Sequence, residues 1–176
     1  VELGSIRLDE LDLAGAEACL SDVIGRHPDN AAARRNRAQL LLLQEQFKQG
    51  WIDFDYRFQT GTREHYPVDT LWRGEPIGDK KLLIHFEQGL GDTVMFSRFL
   101  PHVQALCGEL IFKCQPTLIN LLRQSFPNIE SVTEGDAPGD FDVHLPLLSL
   151  GERLGLDESN LLGDHPYLVA TSRASL

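Results

Sequence analysis

The side chains best suited to chemistry fall together at residues 87–93, Glu-Gln-Gly-Leu-Gly-Asp-Thr. Asp92 is the candidate on which chemistry can be placed. Held on a glycine turn, its carboxylate can act as a general base and take a proton from an incoming hydroxyl. At the start of a helix the same group can serve as an N-cap, worth about 1 kcal/mol, by accepting from free backbone N–H groups. The two roles are compatible, because a carboxylate has two oxygens. Two phosphate-binding readings fail. A dinucleotide fingerprint needs a third glycine where Val94 stands, and an acidic residue closing the second strand. A Walker loop needs a glycine-lysine pair followed by Ser or Thr. A carboxylate at the helix start would also repel phosphate.

These residues need a scaffold, and the flanking pattern supplies one. The continuous apolar run at 82–86 predicts a strand buried on both faces of a parallel sheet, followed by a tight turn and a helix. The turn then lies at the carboxyl edge of the sheet, where ligands bind in open α/β folds. Glu87 and Gln88 end the strand at this edge, able to bond a hydroxyl or to satisfy the loop backbone. His85, within the strand, reads as a hydrogen-bonded core histidine, and Arg98 reads as a helix-face cation or a partner for an anionic ligand. Further strands are expected at Glu109–Cys114, Glu130–Thr133 and 141–145, with His144 ending the last of these on the same edge. Pro116 fits the first turn of a helix carrying Leu118, Ile119, Leu121 and Leu122. A short helix at 147–154 and an extended piece at 167–170 follow. Repeated βα units imply a parallel, Rossmann-like lobe over residues 79–170. Residues 63–78, rich in Gly and Pro, read as a linker ordered by Trp72.

Residues 1–62 carry an internal repeat. A shift of 34 residues aligns Gly4 with Ala38, Ala16 with Gly50 and Leu20 with Phe54, so that small residues recur where helices approach closely and bulky ones where they fill a groove. With Pro28 at a helix end, this segment resembles tetratricopeptide repeats. It predicts helices near 12–26, 30–44 and 47–58, after a truncated first helix. Trp51, Phe54 and Phe58 form a stripe expected to pack onto the following domain, with a peptide or sugar platform as the alternative. One and a half repeats need something to lean on, since about three are required to bury a core.

Composition narrows the field. A formal charge of −10, from 16 Lys+Arg against 26 Asp+Glu, opposes affinity for nucleic acid or anionic membranes. No apolar run reaches membrane-spanning length, and no basic-then-apolar leader opens the chain. Cys19, Cys107 and Cys114 are odd in number and lack metal-ligand spacing, which suits reduced thiols in a cytoplasmic protein. Cys107 and Cys114 read as small apolar fillers. The spacing of His and acidic residues gives no metal-ligand cluster, and the chain opens on Val1 in mid-pattern, as a piece of a longer polypeptide would.

Residues 82–101, with Trp72-Arg73-Gly74 before them and the segment 141–147 (FDVHLPL) after, resemble the acceptor-side lobe of the family 9, heptosyltransferase-like glycosyltransferases in their form fused behind tetratricopeptide repeats. The resemblance implies an α+α/β chain: repeat helices, then the N-terminal half of a GT-B fold whose acceptor and donor lobes face each other across a cleft. It places the family's catalytic aspartate on Asp92. It implies an acceptor site built from Glu87, Gln88, Gly89, Gly91, Thr93 and His144, with no metal and no cofactor. The expected activity is inverting transfer from a nucleotide sugar to a glycan, lipid-linked glycan or protein acceptor. The donor lobe falls outside the resemblance, so these 176 residues alone are expected to be inactive. The alternative is a non-catalytic scaffold that docks a protein partner through its repeats.

Overall fold

The computed structural model describes residues 1–60, 66–133, 135–136, 139–161 and 166–169. It is mixed helical with one small parallel sheet, and the chain forms two compact units, Val1–Glu64 with Leu154–Leu161 and His65–Arg153 with Leu162–Leu176.

The first unit contains α1 (Glu2–Asp9), α2 (Leu13–Arg26), α3 (Ala31–Leu43) and α4 (Phe47–Phe54). Asp12 and Asn30 cap α2 and α3, their side chains accepting from Gly15 N–H at 3.0 Å and Ala33 N–H at 2.9 Å. Each cap satisfies a donor that the first helical turn leaves free. The helices pack in sequence, α1 on α2, α2 on α3 and α3 on α4. The aligned small residues Gly4, Ala16, Ala38 and Gly50 are all buried. A Cβ at Gly4 would lie 2.8 Å from Leu20 Cγ, and one at Gly50 the same distance from Leu42 Cδ2, so the small residues set how closely these helices approach.

The helix expected at 47–58 is α-helical only to Phe54 and continues as 3-10 turns over Asp55–Thr60. There the buried Arg57 guanidinium donates to Phe54 O and Asp55 Oδ1, and lies over the Phe54 and Phe58 rings. Trp51 is buried and donates its indole N–H to Leu156 O at 3.0 Å, which ties the returning segment Leu154–Leu161 to these helices.

The second unit is built on β1 (Lys81–His85), β2 (Glu109–Cys114), β3 (Glu130–Thr133) and β4 (Val143–Pro146), all parallel, in the order β3-β2-β1-β4. The first strand is interior, and its residues 82–85 are buried as a continuous apolar run requires. Between β1 and β2 come α5 (Leu90–Ser97) and α6 (Leu100–Gln104); Pro101 in the first turn of α6 lacks the N–H that would continue α5. A turn at Pro116–Leu118 leads into α7 (Ile119–Ser125) before β3. After β4 a single turn, Leu147–Ser149, runs into α8 (Leu150–Arg153).

The fourth strand begins at Val143 rather than Phe141. Phe141 instead packs with Tyr66 against Leu83, Ile111 and Val132 on one face of the sheet. The described part of the expected linker, from Tyr66 on, belongs to this unit. Trp72 is fully buried, donates from its backbone to His144 O at 2.8 Å and from its indole to Glu75 O, and its neighbour Leu71 bridges His144. Gly74 adopts φ +102°, and a Cβ there would meet Arg153 O at 2.7 Å, so both backbone conformation and space require glycine. Residues 166–169 form no strand; Val169 N–H donates to Ser125 Oγ at 2.9 Å, and Ala170 lies outside the described residues. No helix among the described residues is long and apolar enough to cross a membrane.

Candidate functional site

Strand order decides where a ligand can sit. The chain leaves β1 in one direction to lay down β2 and β3, then returns past β1 to add β4 on its other side. The reversal makes the carboxyl ends of β1 and β4 a topological switch point, the place where ligands bind in open α/β sheets. The loop 86–89 follows β1 at this place, and the Leu147–Ser149 turn follows β4.

Glu87 joins the two loops. Its Oε1 accepts from Leu148 N–H at 3.0 Å, so it holds the loop after β4 against the loop after β1. Gln88 is exposed, and its backbone carbonyl accepts from the Gln115 side-chain amide at 3.0 Å. Gly89, exposed and extended at φ −68° and ψ 168°, is the N-cap of α5. Asp92 is therefore not the N-cap expected from sequence but the third residue of the helix. A glycine cap has no side chain to offer, and the carboxylate reaches back to supply the missing acceptor, its Oδ2 taking Gly89 N–H at 3.0 Å. This is the second half of a capping box. Among the described residues Oδ1 takes no hydrogen bond, and Asp92 is half-buried. The carboxylate is thus fixed through Oδ2.

Thr93 is buried, with Oγ1 3.4 Å from Gly89 O, and supports the turn from beneath. Gly91 is exposed, and nothing lies within 4 Å of the place a Cβ would take. His144 is the second residue of β4 and is buried rather than placed at the strand's open end. Its Nε2 lies 3.0 Å from Pro67 O, and because a carbonyl can only accept, this nitrogen carries the hydrogen. In a neutral ring Nδ1 is then the acceptor, with His85 Nε2 3.2 Å away as donor. Tyr66 covers both rings, with centroids 4.7 Å from His85 and 5.1 Å from His144, and Lys113 Nζ donates to its hydroxyl at 3.2 Å. The structure thus brings Glu87, Gln88, Gly89, Gly91, Asp92 and Thr93 together and sets His144 below them in a buried histidine pair. His85 is a hydrogen-bonded core residue, as its place in the strand predicted.

Sequence reasoning passed over Gln115, Tyr66 and Lys113. Gln115 follows β2 at the same sheet edge, so strand-end position was the signal available for it. Tyr66 belongs to a stretch read as linker, and its stacking depends on contacts remote in sequence. Among the described residues no group of three or more His, Cys, Asp or Glu could hold a metal ion. Arg98 Nε donates to Met95 O, and its guanidinium lies over the Phe99 and Tyr167 rings, a helix-surface arrangement. Cys114 is fully buried on β2, and burial pushes its thiol up to about 11, which makes it a filler rather than a nucleophile.

No family model matches the chain. It is similar to protein FlbA of Caulobacter vibrioides, 31% identical over 132 residues, which are 68% of this chain and 22% of that protein. The chain thus spans about a fifth of the length of this curated relative. No solved structure matches.

Proposed function

We propose that the chain is the acceptor-binding half of an inverting, nucleotide-sugar-dependent glycosyltransferase, carried behind a tetratricopeptide-repeat module. The observation that carries this reading is the state of Asp92, held at a switch point through Oδ2 with Oδ1 left to receive a proton. In a single displacement Asp92 deprotonates an acceptor hydroxyl, which attacks the anomeric carbon of the donor as nucleotide diphosphate departs. The four parallel strands in the order β3-β2-β1-β4 support a Rossmann-like acceptor lobe of GT-B type. The buried small residues at a 34-residue spacing support the repeat reading. The proposed acceptor is a glycan, lipid-linked glycan or protein, and the proposed location is the cytoplasm.

The test is made in the complete gene product supplied with nucleotide sugars. Asp92→Asn keeps an oxygen for Gly89 N–H but cannot take a proton. It is expected to lower turnover about 100-fold; near-parental turnover would remove the chemistry from Asp92. The 176-residue chain by itself is expected to release no nucleotide diphosphate, and turnover by it would refute the need for a donor lobe.

A scaffold role is favoured by one observation. Leu3 and Ile6 lie one turn apart on α1 and are more than half exposed, an apolar stripe that a protein partner could cover. Full turnover independent of the helical unit, combined with partner binding lost in Ile6→Asp, would assign the two roles to the two units.

A further inference from the structure

Gln115 carries a feature the proposed mechanism does not use. Its amide is oriented without ambiguity, since Nε2 donates to Gln88 O and the opposite orientation would set two oxygens against each other. Oε1 is consequently turned away from that bond. Among the described residues it is shielded from solvent and has no hydrogen-bond donor. A buried acceptor left without a donor is costly, by more than a typical hydrogen bond contributes, and native proteins retain few of them. Gln115 contacts the loop after β1 at Gln88; residues 88–91 are exposed, and Gly91 faces open space.

The chemistry around this oxygen defines what can satisfy it. From Leu82 through Ser97 there is no Lys or Arg, while Glu87 and Asp92 place two carboxyl groups in the same turn. The nearest strand-end cation, Lys113, is engaged with Tyr66. An anion would meet two carboxyl groups here, and among the described residues the strand-end cation is already engaged; a neutral group with hydroxyl donors would meet acceptors. We propose that Gln115 Oε1 accepts a hydrogen bond from a hydroxyl of a neutral polyhydroxylated ligand bound at the carboxyl ends of β1 and β2. Gln115 is then a ligand-contacting residue of that site, and because Oε1 is shielded from solvent, ligand entry turns the side chain outward and releases its bond to Gln88 O. The inference rests on the acceptor-lobe reading and narrows it to an uncharged acceptor moiety.

The experiment follows backbone amide shifts of the 176-residue chain during titration with methyl β-D-glucopyranoside and, separately, with inorganic phosphate. The glycoside is expected to shift the amides of Gln88, Gly89 and Gly91, and phosphate to leave them in place. Gln115→Met keeps the size of the side chain but removes both polar atoms, and is expected to weaken glycoside binding at least tenfold, equivalent to about 1.4 kcal/mol. Gln115→Glu keeps an acceptor while losing the donor to Gln88 O, and is expected to bind within about threefold of the parent. Amide shifts along β2 report whether each variant stays folded. Equal weakening in both variants would show that Gln115 only latches the loop, and would overturn the proposal. Unchanged binding in Gln115→Met would overturn it while leaving an acceptor site in place. Phosphate shifting the loop would overturn the neutral class, and a parent chain unresponsive to the glycoside would overturn the contact itself. The acceptor-lobe reading is judged separately by the turnover of Asp92→Asn.

Discussion

Two aspartates, one in each compact unit, show how differently a protein can use the same carboxylate. Asp53 on α4 has no exposed surface. It accepts from Arg34 Nη1 at 2.9 Å, Arg37 Nε at 2.5 Å and Gln49 Nε2 at 3.2 Å, and so uses both oxygens to pin α3 to α4. Asp92 is half-buried and bonds through one oxygen to one backbone donor. A carboxylate saturated by its own fold is structural. One that the fold positions but does not saturate can still accept something from outside. Residue type does not separate the two cases, but the number of donors already spent on each does.

The strongest way to break this comparison is at Asp53. Asp53→Ala leaves two guanidinium groups facing a site built for an anion, and is expected to cost about 3 kcal/mol. Urea unfolding measures it, and a loss below about 1 kcal/mol would mean that the arginines rehydrate freely and that Asp53 is no anchor. Asp92 should respond more weakly in stability and more strongly in function. Asp92→Ala removes the acceptor of Gly89 N–H and is expected to cost about 1 kcal/mol, whereas Asp92→Asn keeps the bond and loses a few tenths of a kcal/mol, mainly charge at a helix start. If the two variants melt together, the Gly89 bond contributes nothing and Asp92 is held by something else.

Glu87 lies between these cases. With Oε1 given to Leu148 N–H, Glu87→Gln should be nearly neutral in stability and Glu87→Ala should lose about 1 kcal/mol. An equally large loss in Glu87→Gln would show that charge, not the bond to Leu148, holds the two loops together. A further effect appears only at high pH. The Cys114 thiol, raised by burial from 9.0 to about 11, binds its proton more tightly in the folded state. Its contribution to stability is complete below pH 9 and is lost as pH rises through 11. Cys114→Ala should flatten that part of the profile. In the parent, thiol-reactive dyes should label Cys114 only on unfolding.

Pattern and spacing were enough for several of the local elements. The apolar run at 82–86 could be nothing but a buried strand, because alternation is absent and the run is too short for a helix. Glu109–Cys114 and Glu130–Thr133 lie where expected, since βα alternation brackets each of them with a helix or turn signal. The small residues at a 34-residue spacing marked the close helix approaches, because only side-chain size matters there. Sequence also singled out Asp92, in the glycine-bearing segment between the first strand and its helix.

What depends on distance in space was decided only by the tertiary structure. Strand order, and with it the switch point, depends on which edge each strand joins, and βα units do not encode that. The division of labour between Asp53 and Asp92 depends on donors from Arg34, Arg37 and Gln49 in one case and Gly89 in the other. Phe141 and Tyr66 left their expected strand and linker to cover the sheet, because Leu83, Ile111 and Val132 presented an apolar face that needed burial. His144 went beneath Tyr66 for the same reason, and the Pro67 carbonyl then fixed its tautomer. Gln115 became notable only when one end of its amide found Gln88 O and the other found no donor, a property of packing that no single residue states.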